Sequence, residues 1–212
     1  MTVKEKDFIK LLYNWYSING RNFPWRVAKP KLYDTLIMEI LLWRTKAETV
    51  NKFYYSFFNT FPNIESIKNT DIISLQKWLK PLGLYNRRST LLKKIAESDF
   101  NVSVVTENNI RKKFGVGQYI SRALMAFFFD IKIIPMDENI RRLLLRVFDF
   151  KISNVRKISK EEDIFLNKLL NNIPDQKKLI WGLIDYSFEI CKKIKPACND
   201  CVFLHMCKFS KK

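Results

Sequence analysis

Four cysteines crowded into one short stretch constrain this chain more than any other feature. They stand at Cys191, Cys198, Cys201 and Cys207, and they are the only cysteines among 212 residues. The spacing is C-x6-C-x2-C-x5-C. Four thiolates are soft ligands suited to a tetrahedral zinc or to a [4Fe-4S] cube. Zinc ribbons usually present two C-x2-C knuckles, whereas here one pair has that spacing and the outer cysteines stand off by six and five residues. A cube, whose irons lie apart, suits such uneven loops better, and four unrelated buried thiols would not be expected to cluster. The expectation is therefore a [4Fe-4S] cluster that pins the end of the chain.

What surrounds the cluster must be largely helical. Glycines number only five, strand-like alternation is scarce, and apolar residues recur at helical spacing almost throughout. Phe8, Leu11, Leu12 and Trp15 mark a first amphipathic helix, ended at Asn19-Gly20. Apolar residues predict a helix over 31–43, with one acid, Glu39, on it; an aromatic-rich helix follows over 46–60. Asp71 opens another through Leu79, residues 87–97 continue the pattern, and Thr106 caps 107–113. Beyond the glycines at 115 and 117 come an apolar helix over 118–130, an extended piece over 131–135, and a helix from Asp137 to Arg146. Helices over 160–172 and 175–192 lead into the cysteines. The predicted class is all-α, without repeat or linker.

Lys and Arg outnumber Asp and Glu by 38 to 21, a formal charge of +17. A field of that sign favours polyanions, nucleic acid before an anionic membrane surface. The cluster would hold Lys192, Lys193 and Lys195 where they can face phosphates. No run of eighteen apolar residues occurs, which excludes a spanning helix. Met-Thr-Val-Lys-Glu-Lys-Asp lacks the apolar stretch of a secretory signal, so a cytoplasmic setting is expected.

Lys113-Phe114-Gly115-Val116-Gly117 between two helices has the form of a helix-hairpin-helix. The glycines allow a sharp turn that aims backbone N–H groups at the next helix start, where they and the helix dipole bind a phosphate without reading sequence. Gly115, Gly117 and Gln118 are the expected contacts. Twenty residues beyond Gly117 stands Asp137, after a proline and at a helix start. Read alone, Asp137 is a helix N-cap, and Glu39 is a structural acid bonded to a loop.

Taken in order, these segments resemble the helix-hairpin-helix (HhH-GPD) DNA glycosylases of the endonuclease III/MutY superfamily. Gly20-Arg21-Asn22-Phe23-Pro24-Trp25-Arg26, Met38-Glu39-Ile40-Leu41-Leu42-Trp43-Arg44-Thr45, Pro81-Leu82-Gly83-Leu84-Tyr85, the hairpin, Asp137-Glu138-Asn139 and the cysteine loop carry the likeness over most of the chain. One departure is Lys113-Phe114, where the family usually has Leu-Pro. The resemblance implies that Asp137 is the catalytic carboxylate, a fixed negative charge for the oxocarbenium character that builds on the sugar. It places Glu39 as a base-facing acid and Arg44 in the gap left by the flipped nucleotide. Bifunctional members carry a lysine nucleophile where this chain has Tyr119, and a phenol cannot form the Schiff base. A monofunctional enzyme that leaves an abasic site is implied, with Tyr119 in the active site.

Adenine glycosylases typically read Gln-Gln-Thr at 43–45, and thymine mismatch glycosylases Arg-Arg-Thr; this chain reads Trp43-Arg44-Thr45. The sequence also runs only a few residues past Cys207, so the further domain by which adenine glycosylases inspect oxidised guanine is not expected. The resemblance thus favours thymine or uracil opposite guanine, with adenine opposite guanine or 8-oxoguanine as the alternative. Two helical lobes are expected, 24–130 holding the hairpin and 1–23 with 131–212 holding the cluster. Glu39, Tyr119 and Asp137 would line a DNA-binding cleft between them. The expected partner is double-stranded DNA carrying a mismatched or damaged base, bound by a monomer, with no membrane as partner. A catalytically silent DNA-binding iron–sulfur protein and an iron–sulfur electron carrier are the rivals from other classes.

Overall fold

The computed structural model describes residues 1–27, 29–149, 158–171 and 173–211, and among them there are helices and turns but no strand. They fall into two units, one of Met1–Arg21 with Ile131–Lys212, the other of Asn22–Asp130.

The first unit begins with α1 (Val3–Asn19), started by a capping box in which the Thr2 side chain accepts from Glu5 N and Glu5 answers at Thr2 N. Phe8, Leu12 and Trp15 form its buried stripe, as the spacing predicts, whereas Leu11 is half-buried.

Among the described residues the second unit holds seven α-helices. The apolar run produces α2 (Leu32–Leu42), buried from Thr35 through Leu41, Glu39 included. After it come α3 (Ala47–Thr60) and α4 (Ile64–Asn69), the latter a single short piece capped by Asn63. Six residues are too few to show a helical period, and the sequence pattern predicts no helix there. Asp71 caps α5 (Ile72–Leu79) through Ser74 N, and a 3-10 turn at Lys80–Leu82 leads into α6 (Tyr85–Glu97). Thr106 caps α7 (Glu107–Phe114), and α8 (Gln118–Phe127) follows the hairpin. The helix predicted to run to 130 stops at Phe127, before Asp130 turns left-handed at φ 54°. Leu36, Ile37, Val50, Phe57, Leu79, Leu92, Ile110 and Leu124 make the core of this unit.

The chain then returns to the first unit through α9 (Glu138–Phe148), α10 (Lys160–Leu170) and α11 (Gln176–Glu189). Helices α1 and α11 press closely: a Cβ at Gly182 would lie 3.2 Å from Leu12 Cγ and 3.4 Å from Tyr16 Cβ. Phe203, from the cysteine loop, stacks on Phe8 at 4.5 Å and leans on Tyr186 at 4.7 Å. The loop is thus seated on the core by aromatic packing before any metal is considered.

Candidate active site

Asp137 closes an extended approach in which Ile134 and Pro135 are buried, and it caps α9. Its Oδ1 accepts from Ile140 N at 2.7 Å, and Oδ2 accepts from Asn139 Nδ2 at 3.3 Å. The same short polar side chain that starts a helix is held by that helix in one orientation. Burial pushes its carboxyl above the ordinary carboxylate range; the bonds from Ile140 and Asn139 and the charge of Arg142 pull against that. A carboxylate offers about four acceptor sites, so capacity remains for a water or for a developing positive charge.

Behind Asp137 stands a polar chain that sequence reasoning missed. Arg142 donates to Asn139 Oδ1, to Cys191 O and to Ser187 O, each at 2.9 Å. One turn on, Arg146 donates to Lys192 O at 2.7 Å and to Lys193 O at 3.3 Å, and its guanidinium lies 4.2 Å from the Phe209 ring centroid. Two arginines at helical spacing after the aspartate are a visible signal. Their acceptors, mostly backbone carbonyls some fifty residues ahead, are not.

In the second unit α2 packs on α8, which places the buried Glu39 and the half-buried Tyr119 on neighbouring helices. The hairpin is formed as predicted, but its two glycines differ. Gly115 ends α7 in the left-handed region at φ 63°, where any other residue would be strained. Gly117 is extended at φ −79°, and a Cβ there would meet nothing within 4 Å. Only the first glycine is required by the turn. The N-cap of α8 is Gly117, which has no side chain to offer the first turn. Gln118 donates to Glu107 Oε1 at 3.0 Å, so its amide is tied to the preceding helix. Arg44 is exposed on the turn after α2, in the left-handed region at φ 58°.

All four cysteines are unpaired, Cys191 and Cys207 buried, Cys198 and Cys201 half-buried. Hydrogen-bond donors face two of the sulfurs: Tyr186 Oη lies 3.1 Å from Cys201 Sγ, and Arg146 Nη1 lies 3.5 Å from Cys191 Sγ. Among the described residues no three Cys, His, Asp or Glu side chains are gathered closely enough to hold a metal, so the expected ligand shell is not assembled here. Lys192, Lys193 and Lys195 are exposed on this loop, with Lys195 left-handed at φ 51°.

Comparison with known proteins bears on the whole arrangement. Residues 37–165, which include Glu39, the hairpin and Asp137, match the model of the HhH-GPD superfamily base excision DNA repair proteins. A thymine/uracil-DNA glycosylase of Methanothermobacter thermautotrophicus is 32% identical over 99% of this chain and 96% of its own length. An adenine DNA glycosylase of Buchnera aphidicola subsp. Baizongia pistaciae is also 32% identical, over 95% of this chain. The chain spans only 58% of that relative's length. The solved structure of a thermostable thymine-DNA glycosylase superposes with a TM-score of 0.85 at 31% identity, covering 98% of this chain and 97% of that one. Helical architecture, hairpin, following aspartate and match over more than half of the chain agree, and the protein belongs to the HhH-GPD superfamily of base excision DNA repair proteins.

Proposed function

We propose that this protein is a monofunctional DNA glycosylase that flips thymine or uracil out of a mispair with guanine and hydrolyses its N-glycosidic bond. The observation that carries the reading is Asp137: a half-buried carboxylate, fixed at the head of α9 by Ile140 N and Asn139 and set after a helix-hairpin-helix. Such a preset charge stabilises an oxocarbenium-like sugar without reorganising at the moment of reaction. Glu39, on α2, is the acid that would meet the flipped base, and Tyr119 denies the site an amine nucleophile.

The double helix would be held by the hairpin amides at Gly115, Gly117 and Gln118, by Arg44, and by Lys192, Lys193 and Lys195. A mismatched base costs less to extrude than a paired one, which supplies part of the selectivity before any pocket contact. The protein would act as a monomer on double-stranded DNA, in the cytoplasm. Cys191, Cys198, Cys201 and Cys207 would hold a [4Fe-4S] cluster: the donor set is four unpaired thiols with Tyr186 and Arg146 donating toward sulfur, which suits ligands that carry negative charge. The cluster's role is to fix the lysine-bearing loop.

Thymine or uracil is favoured by Arg44-Thr45 and by the similarity, over nearly all of both chains, to a thymine/uracil-DNA glycosylase. The equal identity to an adenine DNA glycosylase supports a second reading, adenine opposite guanine or 8-oxoguanine. A base-release screen over all mismatches, with thymine, uracil and adenine as targets, separates them. Release of adenine alone would overturn the first reading, and no release from any duplex would make the protein a silent DNA binder.

A further inference from the structure

Arg88, on α6, is the largest fully buried side chain of the described residues, and among them no acid pairs with it. A guanidinium out of water is costly unless its donors are met, and here six acceptors surround its five N–H groups, the two on Nη2 shared among three. Nε donates to Ile40 O at 3.1 Å; Nη1 donates to Leu82 O at 2.8 Å and Gly83 O at 2.6 Å; Nη2 donates to Leu41 O at 2.9 Å, to Thr45 Oγ1 at 2.6 Å and to Trp43 O. Ile40 and Leu41 are last-turn carbonyls of α2, which a helix cannot satisfy itself. The remaining acceptors belong to two separate turns, 43–45 and 82–83. Thr45 joins them, since its hydroxyl accepts from Arg88 and donates to Leu82 O at 2.9 Å.

Both turns are strained. Arg44 stands at φ 58° and Leu84 at φ 49°, in the left-handed region that residues with a Cβ enter at a cost. Arg44 and its neighbour Trp43 are exposed, so core packing of their side chains does not hold that conformation. The groups on either side of Arg44 do: Trp43 O and Thr45 Oγ1 both reach the one buried cation. Capping of α2 accounts for the bonds to Ile40 and Leu41 alone; the other four fasten turns.

We propose that Arg88 is a positioning residue for DNA invasion, holding the Arg44 turn and the 82–84 turn as one preset piece. Arg44 then enters the space of an extruded nucleotide without first being ordered, and affinity is not sacrificed to that ordering. This rests on the reading of Arg44 as the residue that fills the gap.

The test uses the full chain, thymine–guanine duplex with 2-aminopurine beside the target as a flipping signal, and single-turnover base release. Arg44→Ala should lower flipping roughly tenfold, the size of one stacking interaction removed. Thr45→Val, which keeps shape and leaves Arg88 five acceptors, should lower flipping while affinity for fully paired duplex stays the same. The double variant should flip no worse than Arg44→Ala, a coupling of at least about threefold between the two sites. Arg88→Lys should retain part of the flipping that Arg88→Met loses; should Arg88→Met fail to fold, the Thr45 cycle carries the test. Additive losses, or wild-type flipping by Thr45→Val, would reduce Arg88 to a structural clamp and overturn the proposal. Wild-type flipping and base release by Arg44→Ala would instead sink the reading of Arg44, and this inference with it.

Discussion

Replacing Asp137 by asparagine separates the cap it forms from the catalytic role proposed for it, because an asparagine is as good a helix cap and carries no charge. The amide oxygen of Asp137→Asn can keep the 2.7 Å bond from Ile140 N, so α9 should start where it does now. The new amide nitrogen would then face Asn139 Nδ2, donor against donor, where 3.3 Å now separates donor and acceptor. Losing that bond costs about 1 kcal/mol. Removing a charge that burial disfavours acts the other way. Burial raises the folded-state pKa of Asp137 above its unfolded value, so the wild type is most stable while the carboxyl is protonated. That contribution is lost as pH rises from the unfolded pKa through the folded one. At pH 7 the two effects oppose, so the variant should lose less stability than the broken bond alone would cost. The rate should fall much further. Loss of one preorganised electrostatic interaction costs about 2.7–4 kcal/mol in the transition state, or 100- to 1,000-fold. Single-turnover base release from end-labelled mismatched duplex, scored after alkali, measures it. The wild-type rate should also fall with acid at a pH above that of an ordinary aspartate, and the variant should show no such limb. Wild-type release by Asp137→Asn, with folding and DNA binding intact, would mean that another carboxylate does the chemistry.

Three further outcomes are expected. Anaerobically purified protein should be yellow-brown and hold about four irons per chain; a colourless protein with one zinc would refute the cube. Lys192→Glu with Lys195→Glu should flatten the dependence of log Kd on log salt by about one unit for each phosphate no longer neutralised, and an unchanged slope would move the DNA footprint to another face. Tyr119→Lys should add strand nicking to base release, whereas the wild type should leave the strand whole until alkali is added; nicking by the wild type would contradict a monofunctional enzyme.

Much of this protein is set by local rules that a sequence displays. Helical periodicity marks α2, α3, α5 and α8, and short polar side chains announce the starts of α5 and α7 at Asp71 and Thr106. Asp137 was legible as a cap from its residue type, and the structure shows that cap; the catalytic role proposed for it comes from the resemblance. Gly115 was legible because a tight turn needs a left-handed residue; Gly117 shares the motif without sharing the need. The four cysteines suggest a ligand set by their spacing, but among the described residues their side chains are not gathered around one point.

Tertiary structure decided the rest, for one recurring physical reason: backbone carbonyls carry no side-chain signature. Nothing in the helical pattern over 87–97 marks Arg88 as buried, yet it is fully buried, with the carbonyls of residues 40, 41, 43, 82 and 83 converging on it. Arg142 and Arg146 lie in the helix predicted from Asp137 to Arg146 with nothing to mark their partners, yet they tie α9 to Cys191, Lys192 and Lys193. Gly182, inside α11, is the point where Leu12 and Tyr16 of α1 leave little room for a Cβ, a closeness that the sequence does not show. A sequence shows which groups can donate; only the folded chain brings the acceptors, distant in sequence and alike in chemistry, to the place where donation holds a strained turn or a loop.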